Sequence, residues 1–363
     1  MKKMNFLLFP ALGILPFAAA SCTTQQSDDK KERVLKFYVE PAGTNFEELK
    51  EDLEKQFEPT GLRMNFQELK GAPALQAVLK NEGQFAISSI SAFQSLDDSL
   101  KSQLKIILST KTRAFKYDKD YAEYSDGSST DKLVEIATKT NEEFHKKPYS
   151  QWAKENWDGA TYSNFYTDAE VTYQRGMILI SADDELKVKI TKAWNDKDWS
   201  KFRSYGIVHG DADSGSKYTL PEKLLKKHFN KEGDKFTTLA LEIQNHPELF
   251  VSGKPDKLNE EGTRFNIAFD NQNSFAWTQS KEKYFKRYQN ANNQNLNILV
   301  VTEAIPYNIV AARKDIDSDT LNRIVQKFTT MNDKYSRYVG FSGYQAVTDN
   351  GLSIQEKYDK ATK

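Results

Sequence analysis

The chain reads as a two-lobed α/β protein whose mixed sheets, flanked by helices, are joined by a hinge of two strands. Three observations carry that expectation. The N-terminal third alternates strand and helix with short connections, the pattern of a parallel sheet covered by helices. Two strands, 171–181 and 298–313, are long enough to cross from one lobe to the other and back. Once a leader is set aside, about 340 residues remain, too many for one simple core. Lobe one is expected over 33–174 and 306–363, and lobe two over 176–304.

The first residues, MKKMNFLLFPALGILPFAAASC, have the order of a secretory signal over 1–21: Lys2 and Lys3, an apolar run from Phe6 to Ala20, then small residues. Cys22 is the single cysteine, so no disulfide within the chain is possible. Its place after the small residues reads as a bacterial lipobox, although Ala19 stands where a strict lipobox has Leu. A diacylglyceryl group there would anchor the chain with two acyl chains. TTQQSDDKKER follows as a polar tether, so 22–33 is read as lipidated Cys and tether.

Beyond the tether, VLKFYVE (34–40) reads as a strand. NFEELKEDLEKQFE (45–58) is a helix with apolar residues at 46, 49, 53 and 57. LRMNFQEL, APALQAVLK, QFAISSISA and LKIILST continue as strand, helix, strand, strand. Ligands of such sheets sit beyond the carboxyl ends of the strands, which here carry Glu40, Ser88, Ser89 and Ser91. Residues 118–168 break the alternation with a helix near 131–145 and an aromatic stretch holding Trp152, Trp157, Tyr162 and Tyr166, which either walls a cleft or covers lobe one. After the strand 171–181 come a helix (DELKVKITKAW), a strand (FRSYGIVHG), and DADSGSKYTLPEKLLKKHF, where Ser214, Gly215 and Ser216 stand at a helix start. Such a turn is either a plain N-cap or an anion seat built on free backbone N–H groups. RFNIAFD and SFAWTQS surround a polar turn, and a helix over 318–334 and GFSGYQAVTD close the chain.

With 51 basic and 51 acidic residues the formal charge is zero, so nothing speaks for nucleic acid as a partner. The four histidines, His145, His209, His228 and His246, have no metal-ligand spacing. His209 precedes Ser214 by five residues, but no third group orients the pair, and an enzyme is not expected.

The order strand, G-D-x-D-S-G-S-K-Y-T-L-P, helix resembles the phosphonate and phosphate-ester branch of solute-binding proteins of ABC importers. The stretches I-P-Y-N-I-V-A-A-R-K-D-I (305–316) and G-Y-Q-A-V-T-D (343–349) add to the likeness. TYQRGMILI, KAWNDKDWSKFRSYGIVHG, NSFAWTQ and AIPYNIV are closer still to the mycoplasmal extracytoplasmic thiamine-binding lipoproteins. The resemblance implies a type II periplasmic-binding-protein-like fold. It also implies a lipid-anchored, extracytoplasmic receptor, a monomer without cofactor, that passes thiamine or its pyrophosphate to an ABC permease. The alternatives are a phosphonate or phosphate-ester receptor, and a surface adhesin on the same fold.

On that resemblance Ser214, Gly215 and Ser216 hold phosphate through hydroxyls and N–H groups. Arg175 either makes a bidentate contact to it or serves as a surface charge or interlobe ion pair. Tyr173 packs or stacks beside Arg175. Trp277 stands where phosphonate receptors carry an acid. It either stacks on a cationic aromatic ligand or is a core residue between lobes. Asn273 and Ser274 are placed to bond an aminopyrimidine edge and Glu40 to oppose a thiazolium charge, and Tyr307, within AIPYNIV, completes the expected set. Trp194 and Trp199 are read as packing.

Overall fold

The computed structural model describes residues 34–362 apart from 42–45, 119–120, 159–160, 260–263, 278–287, 289–294 and 333, so Cys22 and the leader lie outside the described residues. Strands are β1 (Leu35–Val39), β2 (Met64–Glu68), β3 (Phe85–Ser89), β4 (Leu104–Phe115), β5 (Trp157–Asp158), β6 (Thr161–Tyr162) and β7 (Tyr166–Val171). β8 (Tyr173–Ser181), β9 (Ile207–His209), β10 (Phe250–Ser252), β11 (Ile267–Asn271), β12 (Leu296–Pro306), β13 (Asn308–Arg313) and β14 (Gly343–Ala346) follow. The helices are α1 (Phe46–Phe57), α2 (Gly71–Leu79), α3 (Ile90–Gln94), α4 (Asp98–Lys101), α5 (Lys132–His145) and α6 (Asp184–Asn195). They continue with α7 (Trp199–Arg203), α8 (Leu220–His228), α9 (Leu239–Asn245), α10 (Ser318–Thr330), α11 (Lys334–Tyr338) and α12 (Leu352–Thr362).

A seven-stranded sheet runs β14-β4-β13-β3-β1-β2 with β7 also on β4, and a five-stranded sheet runs β10-β9-β11-β8-β12. β1 pairs in parallel with β2 and β3, as the alternation predicts. β13 enters between β3 and β4 antiparallel to both, so the sheet is mixed. The period of two divides the side chains of this sheet between two cores. Leu35, Phe37, Val39, Phe85 and Val310 join one face, where Phe37 lies 5.4 Å from Phe66 and 5.0 Å from Phe328. Tyr38, Ala86 and Ala311 join the other, under α2 and α3.

β5 and β6 form a separate two-stranded sheet, and the chain passes from strand to strand between the two large sheets across single residues: Thr172 between β7 and β8, and Tyr307 between β12 and β13. Those two residues are bonded to each other, Tyr307 N–H donating to the Thr172 carbonyl at 2.8 Å.

Part of the segment assigned to lobe one sits elsewhere. α5 lays Leu133, Ile136, Ala137 and Phe144 into the core of the five-stranded sheet, and Asn141 bonds both backbone groups of Ile298 on β12. Trp152, stacked on Tyr162 at 4.4 Å, and Phe165 extend that core to Phe275. Trp152, Trp157 and Tyr162 therefore neither wall the cleft nor cover lobe one, while Tyr166 lies on β7 against Phe115 of β4. Adjacency to β4 in sequence misplaced that part of the segment, because the apolar face of α5 finds its partner on a strand from far along the chain.

His228 shows how the packing fixes a protonation state. Its Nε2 donates to the Trp194 carbonyl at 2.7 Å, which leaves Nδ1 to accept from the Tyr124 hydroxyl at 2.7 Å. The ring stacks on Trp194 at 3.6 Å, and a Cβ on Gly127, whose φ is +76°, would fall 2.7 Å from it. Burial lowers its pKa from 6.5 to about 4. A base whose pKa falls on folding stabilises the fold fully above its unfolded value and loses that contribution as pH drops through the folded one. Urea titrations should therefore show stability falling between pH 6.5 and about 4, by at most about 3 kcal/mol from this group. A His228→Gln variant should show a flatter profile over that window.

Candidate functional site

A cleft of about 620 Å³ lies between the two sheets, where β1, β3, β9 and β11 end. On the five-stranded side its wall is the turn after β9. The sequence predicts a helix from 217; the structure first makes a wide π-type turn, Gly215–Thr219, and only then α8. Ser214 is its cap: its Oγ accepts from Lys217 N–H at 3.3 Å, and its carbonyl accepts from Thr219 N–H at 3.1 Å, five residues on. Turns of this kind recur at functional sites because they widen the backbone locally.

Two glycines let the turn sit where it does. A Cβ on Gly176 of β8 would fall 2.2 Å from the Ser216 carbonyl oxygen. One on Gly215 would fall 2.6 Å from Ser91 Oγ and 2.7 Å from Ile305. Gly215 is thus the contact point with α3 on the opposite side of the cleft. Ser216 Oγ donates to Asn271 Oδ1, so the turn is also tied to the end of β11.

Across the cleft, Glu40 ends β1. Its Oε1 accepts from Asn308 Nδ2 at 2.9 Å, and its carbonyl accepts from the Tyr335 hydroxyl at 2.9 Å. Burial raises its pKa above the usual carboxylate range, against the opposing charges of Lys70 and Lys217 and the Asn308 bond. Tyr307 beside it has its phenol pushed up by burial and then by the Glu40 charge. Ser89 caps α3 through Ala92 N–H at 3.1 Å and lines the cleft. Trp277 also lines it, and its ring packs on Gly340, 3.3 Å from where a Cβ would lie.

A family model described as extracytoplasmic thiamine-binding lipoprotein matches residues 36–362. The chain belongs to that family. The family is one of solute-binding lipoproteins of a transport system, not of enzymes. A relative from Mesomycoplasma hyorhinis, high affinity transport system protein p37, is 38% identical over 285 residues, 76% of this chain and 70% of that one. The solved structure of Mycoplasma hyorhinis Mh-p37, described as a candidate thiamine pyrophosphate transporter, superposes with a TM-score of 0.80 at 31% identity. It covers 91% of this chain and 98% of that one. The binding component of a Pseudomonas aeruginosa ABC phosphonate transporter has a TM-score of 0.50 at 11% identity, over 90% and 86% of the two chains. It shares the fold, and the two-lobe class expected from the sequence is the family's periplasmic-binding-protein fold.

Within this family fold the predicted site residues separate. The cleft gathers Glu40, Ser89, Ser214, Gly215, Ser216, Trp277 and Tyr307. Arg175 is not among them. Its side chain is fully buried and donates to Asp118 Oδ1 at 2.9 Å, to the Thr302 carbonyl at 3.0 Å and to the Ala122 carbonyl at 3.3 Å. Of the two roles expected, this is the ion pair and not the phosphate contact. Tyr173 packs against the Arg175 guanidinium at 5.5 Å and Tyr121 at 4.9 Å, lining with Arg175 a hollow of about 40 Å³ that adjoins the cleft and shares Gln174, Asn271, Trp277 and Tyr307 with it. Ser88 is wholly buried on the strand.

Asn273 and Ser274 are also turned inward, Ser274 donating to Asp270 Oδ2 at 2.6 Å. The reason is register. The strand is β11, Ile267–Asn271, and 274–276 is a 3-10 turn, so an acid does stand near the strand end. Asp270 faces the core, bonded to Ser274 and Tyr288, and Asn271 faces the cleft.

Lys70, Lys217, Lys254, Gln174, Asn271 and Asn308 also line the cleft and were not expected there. Lys70 was within reach of sequence reasoning, since it follows β2 as Glu40 follows β1. Removing one partner of a buried pair leaves an uncompensated charge, so Asp118→Ala should lower unfolding free energy by about 3–5 kcal/mol in urea titrations. Gly176→Ala should cost about 1–3 kcal/mol, because the added methyl must displace backbone of the 215–219 turn.

Proposed function

We propose that the chain is the receptor of an ABC importer that captures thiamine or a phosphate ester of thiamine between its lobes, held at the membrane by lipid on Cys22. The observation that carries this reading is the cleft itself. Its lining puts the Trp277 indole in one space with a hydroxyl-rich turn, Ser214–Lys217, and with a half-buried carboxylate, Glu40. Three lysines, Lys70, Lys217 and Lys254, stand with three carboxylates, Glu40, Asp211 and Asp213. Such a lining suits a ligand carrying charge of both signs better than a bare anion. A thiazolium ring can stack on Trp277 and oppose Glu40, while a hydroxyl or phosphate end reaches the turn.

Support comes also from the family description as thiamine-binding and from Mh-p37, described as a candidate thiamine pyrophosphate transporter. The single-residue crossings at Thr172 and Tyr307 are where the lobes would hinge on closing. Lobe one takes the seven-stranded sheet with Tyr166 on β7, and lobe two the five-stranded sheet with α5, Trp152, Trp157 and Tyr162.

Calorimetric titration of protein stripped of carried-over ligand by unfolding and refolding tests the reading against thiamine, its two phosphates and a simple alkylphosphonate. Binding of a thiamine form is expected, weakened by Trp277→Ala by about 0.5–2 kcal/mol. A response to the alkylphosphonate with none to thiamine forms would replace the reading with a phosphonate receptor.

A further inference from the structure

We propose that a hollow beside the hinge, walled by the end of α12 on one side and by β12 on the other, is a second binding site. Its ligand is a small amphiphile with an apolar body and a single carboxylate. The proposal does not rest on what the cleft holds, because the hollow shares no lining residue with the cleft.

The hollow measures about 330 Å³. Its floor is apolar, made by the Tyr121 ring, Ala122, Ala304 of β12 and Ala361 of α12. Tyr121 stays 39% exposed, although its ring packs on Tyr173 at 4.9 Å and its hydroxyl is bonded to the side chain of Thr172 at the crossing. The Ala122 carbonyl is one of the acceptors that match Arg175. The floor is therefore held by the groups that fix the hinge, and it is formed before any ligand arrives. Small-molecule sites favour such places, apolar hollows of roughly this size where two lobes meet.

The rim decides the charge of the occupant. Three ammonium groups and two carboxylates line it, those of Lys227, Lys357 and Lys360 and of Glu123 and Glu303. Both oxygens of Glu303 accept from Lys227, at 2.7 and 2.6 Å, and one of them also accepts from Tyr124 N–H at 3.0 Å. Glu123 pairs with Lys360 at 2.7 Å, which joins α12 to the segment before α5. Lys357 is the remainder. Among the described residues its ammonium has no carboxylate partner, and it lies over the Tyr121 ring at 5.6 Å. An ammonium held over the floor can donate to an anion whose apolar part rests on that floor, while the lysine stem adds apolar surface. A cationic amphiphile meets the opposite situation, since both carboxylates are spent and Lys357 repels it. A ligand with two negative charges finds a single unmatched cation.

Calorimetric titration of the chain with octanoate, octylammonium and 1-octanol tests the site. Octanoate is expected to bind, and the other two to bind at least about fivefold more weakly. Lys357→Gln should lower octanoate affinity about fivefold and leave 1-octanol unchanged. That side chain is exposed, so the fold tolerates the change. Ala361→Phe fills the hollow and should weaken both. No octanoate binding, octylammonium binding as tight as octanoate, or an octanoate affinity indifferent to either substitution would overturn the site. Thiamine titrated in parallel keeps this apart from the reading of the cleft. Octanoate binding without thiamine binding leaves the hollow standing and removes thiamine as the cleft ligand; thiamine binding without octanoate binding does the reverse.

Discussion

Arg175 is buried where β8 leaves the hinge, and a guanidinium cannot escape that burial by giving up its proton. It must be matched by groups that do not move. Asp118, the Ala122 carbonyl and the Thr302 carbonyl supply the match, and they come from the segment after β4 and from β12. Thr302 Oγ1 also accepts from Gly176 N–H at 2.8 Å. The cation thus fixes β8 against β12 at the level where Gly176 receives the Ser216 carbonyl. The shape of the turn, the position of Asn271 and the wall of the cleft all follow from that alignment.

Most of the architecture was legible because it rests on periodicity. Phe46, Leu49, Leu53 and Phe57 mark α1, and the long strands at 171–181 and 298–313 are the two crossings. The turn at the helix start was legible too, through Ser214, Gly215 and Ser216. What sequence reasoning misread had a common cause, that a side chain's direction depends on a partner from elsewhere. Arg175 lies on a hinge strand, and nothing local says that Asp118 will claim it. Asn273 and Ser274 looked like strand-end residues until the strand proved to stop at Asn271. One residue of register separates Asp270, facing the core, from Asn271, facing the cleft.

The cleft combines features that would each be costly alone. Glu40 is half-buried with its pKa raised, yet it stands near two lysines; Tyr307 is held neutral beside it. Trp277 packs on Gly340 and also lines the cleft. These are groups held in fixed positions before any ligand arrives, which spares a ligand the cost of ordering them.

The place of β13 has a consequence for how the chain acquires its structure. β13 lies between β3 and β4, both from the first third of the chain, while its own residues come after the whole five-stranded sheet. Until residues 308–313 arrive, β3 and β4 have no shared neighbour, and each offers an unpaired row of backbone groups to any passing strand. Closing the sheet requires a long loop of chain to be brought together, which is slow compared with local helix formation. During synthesis the early strands are therefore the aggregation-exposed part of this molecule, and the lobe that begins first is the one finished last.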